Sequence, residues 1–187
     1  MVKFSCRYLS ACLDFFKNFT YTYLMAMYEI KLRIDPETIP TLITQLGLEK
    51  LRSFTDTDTF LSTEPGHSKE KIKELDTTIK LYRLQFDGTC FVIEGQILTP
   101  AQAQELKRSR TVSAVVKRAK EEYMWQELGL TVAFDTIEGV AGTVFFEIYG
   151  KTHDLVLRAR DNLKALGYDT WEQRTYDDVV NAQASLL

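Results

Sequence analysis

The sequence DTIEGVAGTVFFEIYG, residues 135–150, contains the pattern that decides the fold. It predicts the end of one strand, a loop with glycines and then a second strand. Successive strand residues point to opposite sides, so Phe145, Glu147 and Tyr149 share one face, and the apolar residues between them share the other. A carboxylate and a tyrosine beside a phenylalanine indicate a lined interior, such as the lumen of a barrel.

A second strand with a charged face is predicted from Met27. Apolar residues alternate there with Glu29, Lys31 and Arg33, which is the period-two pattern of a strand. On this pattern alone, a half-exposed strand with a solvated charged face is the commoner structure. If the sheet closes on itself, however, the charged faces meet inside it. Such an interior is costly unless acids, metal ions or a polyanion offset the bases, so it indicates a phosphate-chain site with divalent cations.

Antiparallel strands and flanking helices account for most of the remaining sequence. Helices are predicted over 36–46, 100–109 and 152–166, with a short one near the C-terminus. Strands are predicted over 27–34, 54–61, 79–84, 89–94 and 130–134. Asp87-Gly88 is a hairpin signal. Residues 112–126 fit a strand, with a helix as the competing prediction. The charged run 63–75 is predicted to be a solvated loop or short helix without a site. The chain is therefore predicted to be α+β, dominated by an antiparallel sheet.

Composition limits the classes of function. The 187 residues are 45% hydrophobic and carry a net charge of −3, which fits one domain and gives no basic field for nucleic acid. Three cysteines without a CxxC pair argue against a disulfide framework or a four-cysteine zinc site, and favour a reducing cytoplasm. Because the sequence has only two histidines, it argues against a His-based metal site or catalytic triad.

Residues 1–26 are predicted to be separate from a single domain over residues 27–187. The segment fits an amphipathic helix or an over-long start of the chain. Asp14 and Lys17 interrupt its apolar run, which argues against a membrane span. Its aromatic residues are compatible with pairing of two chains as a homodimer.

Several motifs together resemble the CYTH family. They are DTIEGVAGTVFFEIYGK, LKALGYD and RTYDDVV in the C-terminal half, and MYEIKLRI, DTDTF and TTIKLYRL before them. That family includes class IV adenylyl cyclases, thiamine triphosphatases and other triphosphate tunnel metalloenzymes. The resemblance covers about residues 27–180. It implies an antiparallel β-barrel, or tunnel, with flanking helices, and a metal-dependent enzyme acting on a triphosphate or nucleotide.

The resemblance also implies roles for individual residues. The metal ligands, for Mg²⁺ or Mn²⁺, would be Glu29, Asp135 and Glu147. The phosphate-binding residues would be Lys31, Lys80, Arg83, Arg118 and Lys120. The catalytic residues would be Lys31, Lys120 and Glu121.

Four positions depart from the family pattern. Met27 and Tyr149 stand where the family has glutamates, Tyr82 where it has an arginine, and Glu94 where it has a lysine. Two hypotheses therefore remain open: a metal-dependent triphosphate hydrolase or adenylyl cyclase, and a non-catalytic binder of a nucleotide or polyphosphate. A third, purely structural hypothesis leaves the charged strand faces in solvent. Burial of Lys31, Lys80 and Lys120 around one cavity would argue against it.

Overall fold

Eight antiparallel strands form a closed barrel, which confirms the antiparallel barrel that the family resemblance implies. The computed structural model describes residues 23–63 and 68–185, with side chains from Ala26 onwards. The strands are β1 (Tyr23–Ile34), β2 (Leu48–Leu61), β3 (Lys69–Leu75), β4 (Thr78–Phe86), β5 (Phe91–Leu98), β6 (Val112–Trp125), β7 (Leu130–Ile137) and β8 (Val144–Gly150). They pair around the barrel in the order β1-β5-β4-β3-β2-β6-β7-β8, and β8 pairs back with β1.

Four α-helices flank the barrel. They are α1 (Ile39–Leu46), α2 (Pro100–Ser109), α3 (His153–Ala165) and α4 (Tyr176–Ala184). The predicted capping box of α2 is present, because Thr99 Oγ1 accepts from the Gln102 backbone N–H and the Gln102 side chain accepts from that of Thr99. Gly47 ends α1 with φ 57°, a left-handed conformation that glycine adopts without strain.

The apolar core lies outside the barrel, between the wall and helices α1 and α3. Outward residues of β1 and β8 such as Leu32, Phe146 and Ile148 are fully buried there against Val156 of α3. Gly150 permits this packing, since a Cβ atom at its position would lie 2.6 Å from Val156 Cγ2. Apolar residues therefore face the helices, and the charged residues of the same strands face the lumen.

One end of the lumen is filled by apolar side chains under α4. Phe60, Val116, Ile137 and Phe145 point inward from four strands. The Tyr176 ring of α4 packs edge-on against Phe145, with ring centroids 5.1 Å apart. In the part of the chain that the structure describes, α4 and this apolar layer cover that end of the barrel.

The structure corrects the prediction for residues 63–75 and decides between strand and helix for residues 112–126. The charged run 63–75 is not a solvated loop or helix, because its residues from Lys69 form β3 in the barrel wall. Residues 112–126 form a strand, because β6 pairs along its length with β2 and β7, and this pairing outweighs the helical propensity of its Ala, Lys and Glu residues.

The first strand begins at Tyr23, four residues before the predicted start at Met27. The N-terminal helix or over-long start was predicted for residues 1–26, of which 1–22 lie outside the described residues. No described helix is long and apolar enough to cross a membrane.

Candidate functional site

A cavity of about 690 Å³ occupies the lumen and opens at the end opposite α4. Its wall is strongly charged and includes Glu29, Lys71, Lys73, Lys80, Arg118, Lys120 and Glu147. Apolar and aromatic residues complete the wall, among them Met27, Phe54, Tyr82 and Tyr149. Because Lys31 and Lys120 are each only 2% exposed, the hypothesis of solvated strand faces is wrong.

Arg118 on β6 holds three aspartates together in the deepest charged layer. Its Nε and Nη2 donate to the two carboxylate oxygens of Asp56 at 2.9 and 3.0 Å, and Nη1 donates to Asp135 Oδ2 at 2.9 Å. Nη2 also lies 3.1 Å from Asp58 Oδ2. Bidentate binding of this kind fixes the guanidinium, so Arg118 is a rigid cation at the inner end of the cavity.

Lys120 lies two residues further along β6 and contacts a second acidic group. Its Nζ donates to Glu147 Oε2 at 2.6 Å and lies 3.1 Å from Asp135 Oδ1. The Tyr149 hydroxyl hydrogen-bonds to the same glutamate. Burial alone would lower the pKa of Lys120, but Asp135 and Glu147 raise it above its usual range. Lys120 therefore remains a cation at neutral pH.

The carboxylates of the lumen fit a divalent cation. Burial raises the pKa of Glu29, and the negative charge of Glu147 raises it further. The nearest cation to Glu29 is Lys31, with Nζ 3.8 Å from Oε1. Burial and Glu147 also raise the pKa of Asp135, to about 7, although Lys120 and Arg118 act in the opposite direction. Buried carboxylates that raise one another's pKa are a donor set that Mg²⁺ or Mn²⁺ would stabilise.

The remaining predicted residues divide between the lumen and the outer surface. Lys31 lies deep in the lumen, with Nζ 4.0 Å from the Phe91 ring centroid, and Lys80 lies in the cavity wall. Arg83 and Glu121 face outward. Arg83 Nε donates to Glu70 at 2.8 Å, and Glu121 accepts from Lys50 Nζ at 2.7 Å.

The four departures from the family pattern also divide in this way. Met27, Tyr82 and Tyr149 line the cavity, so these substitutions change its chemistry. Glu94 is exposed on the outer face of β5, opposite Arg83 in the ladder, and does not alter the lumen.

Sequence reasoning missed four charged residues of the lumen. Lys71 Nζ lies 2.7 Å from Asp58 Oδ2, and Lys73 Nζ lies 2.6 Å from Asp56 Oδ2. The available signal was alternation, because Lys69, Lys71 and Lys73 fall on one side of KEKIKEL and its glutamates on the other. Tyr176 was also missed as a site residue, although its hydroxyl lies 3.3 Å from Asp135 Oδ2.

Solved structures of other proteins share this fold. PH1012 from Pyrococcus horikoshii OT3 is 20% identical, with a TM-score of 0.67 over 82% of this chain and 99% of that one. A protein from Vibrio parahaemolyticus, named as a candidate adenylate cyclase, is 16% identical, with a TM-score of 0.61 over 84% and 98%. No family model and no curated protein matches the sequence.

A third structure carries a named activity. HpAC1 from Hippeastrum, named as a candidate adenylyl cyclase with a dominant triphosphatase activity, is 15% identical, with a TM-score of 0.58 over 85% of this chain and 96% of that one. At these identities the likeness concerns the fold. It confirms the resemblance to the CYTH family at that level, together with the predicted tunnel architecture.

Proposed function

We propose that this chain is a metal-dependent enzyme that binds a triphosphate or nucleotide in its barrel lumen and cleaves the phosphate chain. The observation that carries the proposal is the enclosed cavity in which Arg118, Lys120 and Lys80 lie beside the paired acids Glu29 and Glu147. A phosphate chain offers the negative oxygens that such cations bind, and the acids offer a position for a divalent cation between protein and phosphate.

The lumen residues have distinct roles in this proposal. Lys80 has no ion-pair partner among the described residues and is the cation most readily available to a phosphate oxygen. Arg118 and Lys120 are fixed by their acids and stabilise charge that develops on the phosphate in the transition state. Burial lowers the pKa of Lys31, with Glu29 and Glu147 acting in the opposite direction, so of the two catalytic lysines Lys31 gives up its proton more readily than Lys120.

Glu29, Asp135 and Glu147 would hold the divalent cation. Bound there, Mg²⁺ or Mn²⁺ supplies charge neutralisation at the phosphate oxygens. Met27 and Tyr149 occupy the positions where two further carboxylates would stand, which favours one ion over two. The outward position of Glu121, with Lys50 as its partner, leaves no part for it in this proposal.

The alternative function is a binder of nucleotide or polyphosphate without turnover. One observation favours it. The Tyr149 hydroxyl accepts a hydrogen bond from Lys120 and donates one to Glu147, so it occupies a metal ligand and a phosphate-binding cation at the centre of the site. In that case the ion pairs of the lumen open to admit a ligand but do not position water or a ribose hydroxyl for attack.

Calorimetric titration with inorganic triphosphate and with ATP, each with and without Mg²⁺ or Mn²⁺, tests these alternatives. The same samples are assayed for phosphate, pyrophosphate and cyclic nucleotide. Binding with turnover supports the enzyme, and the product identifies a hydrolase or a cyclase. Metal-linked binding without turnover supports the binder, and absence of binding contradicts both. The cytoplasmic location and the homodimer stay predictions.

A further inference from the structure

A second group of metal-binding side chains meets outside the lumen. Asp87 and Cys90 belong to the turn between β4 and β5, and His153 is the first residue of α3. One donor atom from each residue lies within 4.8 Å of the other two. Asp87 Oδ2 is 3.6 Å from His153 Nε2 and 3.7 Å from Cys90 Sγ. Ligand atoms in a tetrahedral zinc site are about 3.3–3.6 Å apart, so these two distances are close to those of a bound site.

The β4–β5 turn orients the aspartate before any metal arrives. Asp87 Oδ1 accepts from the backbone N–H groups of Thr89 at 2.8 Å and Cys90 at 2.9 Å, and from the Thr89 hydroxyl at 2.7 Å. These bonds use one carboxylate oxygen and leave Oδ2 directed toward the thiol and the imidazole. Such support of a ligand through its second oxygen is typical of metal centres.

The other two donors are also held in place by their surroundings. Cys90 is 1% exposed and packs in the outer apolar core. The His153 ring packs edge-on against Tyr28 of β1, with centroids 5.5 Å apart. The Thr89 hydroxyl lies 3.1 Å from His153 Nε2, so His153 Nε2 faces the turn. The three donors thus come from segments that the barrel and α3 fix relative to one another.

We propose that Asp87, Cys90 and His153 form a zinc site that is distinct from the divalent-cation site of the lumen. A thiolate and an imidazole select Zn²⁺ over Mg²⁺ or Mn²⁺, which prefer oxygen ligands throughout. Three protein ligands leave a fourth position for water or for the Thr89 hydroxyl. The small number of histidines and cysteines in the sequence argued against a site of this kind. The sequence did not reveal the site because Cys90 and His153 are far apart along the chain and only the fold brings the turn next to the start of α3.

The site would tie the barrel wall to its outer helix. α3 packs against β1 and β8. The β4–β5 turn continues into β5, which pairs with the edge of β1 opposite to β8. An ion at the junction joins the two segments without entering the lumen. Binding to the folded state alone raises stability by mass action, so zinc should raise the melting temperature of the full-length protein.

Metal titration of the full-length, metal-free protein tests the proposal. Zn²⁺ is titrated by calorimetry, and Co²⁺ serves as a spectroscopic probe because a bound cysteine thiolate gives a near-ultraviolet charge-transfer band. We expect micromolar or tighter zinc binding, a Co²⁺ band that zinc removes, and a raised melting temperature. Excess Mg²⁺ should leave the band in place.

The small number of donor residues allows matched controls. Cys90→Ser and His153→Ala should abolish the Co²⁺ band, whereas Cys6→Ser with Cys12→Ser, and His67→Ala, should retain it. Asp87→Asn covers the case in which Cys90→Ser fails to fold. Its amide oxygen still accepts the bonds of the turn while its NH₂ group replaces the ligating oxygen, so zinc affinity should fall by about tenfold or more.

Two results would overturn the zinc site. One is wild-type protein that binds no zinc at micromolar concentration. The other is a Co²⁺ band that survives Cys90→Ser, or a zinc affinity that Asp87→Asn leaves unchanged. Glu147→Gln separates this site from the lumen, because it should retain the Co²⁺ band even where triphosphate binding is lost.

Discussion

Asp58 and Lys71 form a buried ion pair between β2 and β3, with Oδ2 and Nζ 2.7 Å apart. The aspartate is 0% exposed and shares its oxygen with Arg118, so two cations compensate one carboxylate inside the barrel wall. This arrangement makes the stability of the fold sensitive to acid, independently of any ligand.

The first prediction concerns that acid sensitivity. Burial alone would raise the pKa of Asp58, but Arg118, Lys71 and Lys73 lower it to about 2. A carboxyl with a depressed folded-state pKa stabilises the protein above its unfolded pKa, and this contribution is lost as the pH falls from about 4 to about 2. The wild type should therefore lose about 2 kcal/mol of unfolding free energy in this window, relative to Asp58→Asn.

Urea unfolding at a series of pH values measures this difference. Asp161→Asn, on the exposed side of α3, is the matched control and should follow the wild type at every pH. A constant difference between wild type and Asp58→Asn from pH 5 to pH 2 would contradict the ion-pair account.

The second prediction concerns Glu147. Glu147→Gln keeps the side-chain volume but removes a metal ligand and the carboxylate that contacts Lys120. Metal-dependent triphosphate binding should fall by about 100-fold or more, as measured by calorimetry with Mg²⁺ or Mn²⁺. Glu121→Gln, on the outer face of β6, is the matched control and should bind as the wild type does. Unchanged metal affinity in Glu147→Gln would exclude this carboxylate as a ligand.

The third prediction restores a missing carboxylate. Tyr149 lines the cavity beside Glu147, so Tyr149→Glu should raise Mg²⁺ or Mn²⁺ affinity by about tenfold through a second negative ligand. Tyr149→Phe removes the hydroxyl without adding charge and should give no such gain. Equal metal affinity in the two variants would show that this position takes no part in metal binding.

The fourth prediction concerns Lys80, a cation of the lumen without an ion-pair partner among the described residues. Lys80→Met should weaken triphosphate binding by about tenfold, because one charge-assisted contact to phosphate is lost. Its melting temperature should stay close to that of the wild type, since no described carboxylate loses a partner. Lys117→Met, whose side chain is 64% exposed outside the lumen, is the control. Equal affinities in both variants would place the phosphate away from Lys80.

Much of the fold follows from alternation in the sequence. Residues 135–150 predict that Glu147 and Tyr149 face a lumen, and the barrel places both in the cavity wall. The capping residues of α2 and the Asp87-Gly88 hairpin were predictable because they are local patterns. The order of strands around the barrel depends on distant pairing, and alternation alone does not specify it.

The site was less predictable because family motifs and strand geometry gave different answers. Glu121 follows Lys120 directly, and neighbouring strand residues point to opposite sides, so both cannot face the lumen. Arg83 fails for the same reason beside Tyr82. Lys71 and Lys73 were missed because a run rich in lysine and glutamate is usually solvated, and only closure of the barrel turns one side of that run inward.

The apolar layer beneath α4 closes one end of the lumen, so the described part of the chain forms a dead-end channel. If the proposed function is correct, a phosphate chain enters and leaves through the end of the lumen that is open in the described part of the chain. Its parts then depart in the reverse of the order in which they entered. If cleavage occurs beside Arg118, the outer fragment leaves first and the innermost phosphate is retained behind it. Inorganic phosphate should then be a competitive inhibitor, because it occupies the channel that the next substrate must enter. The rate of turnover should depend on how quickly the innermost phosphate is released.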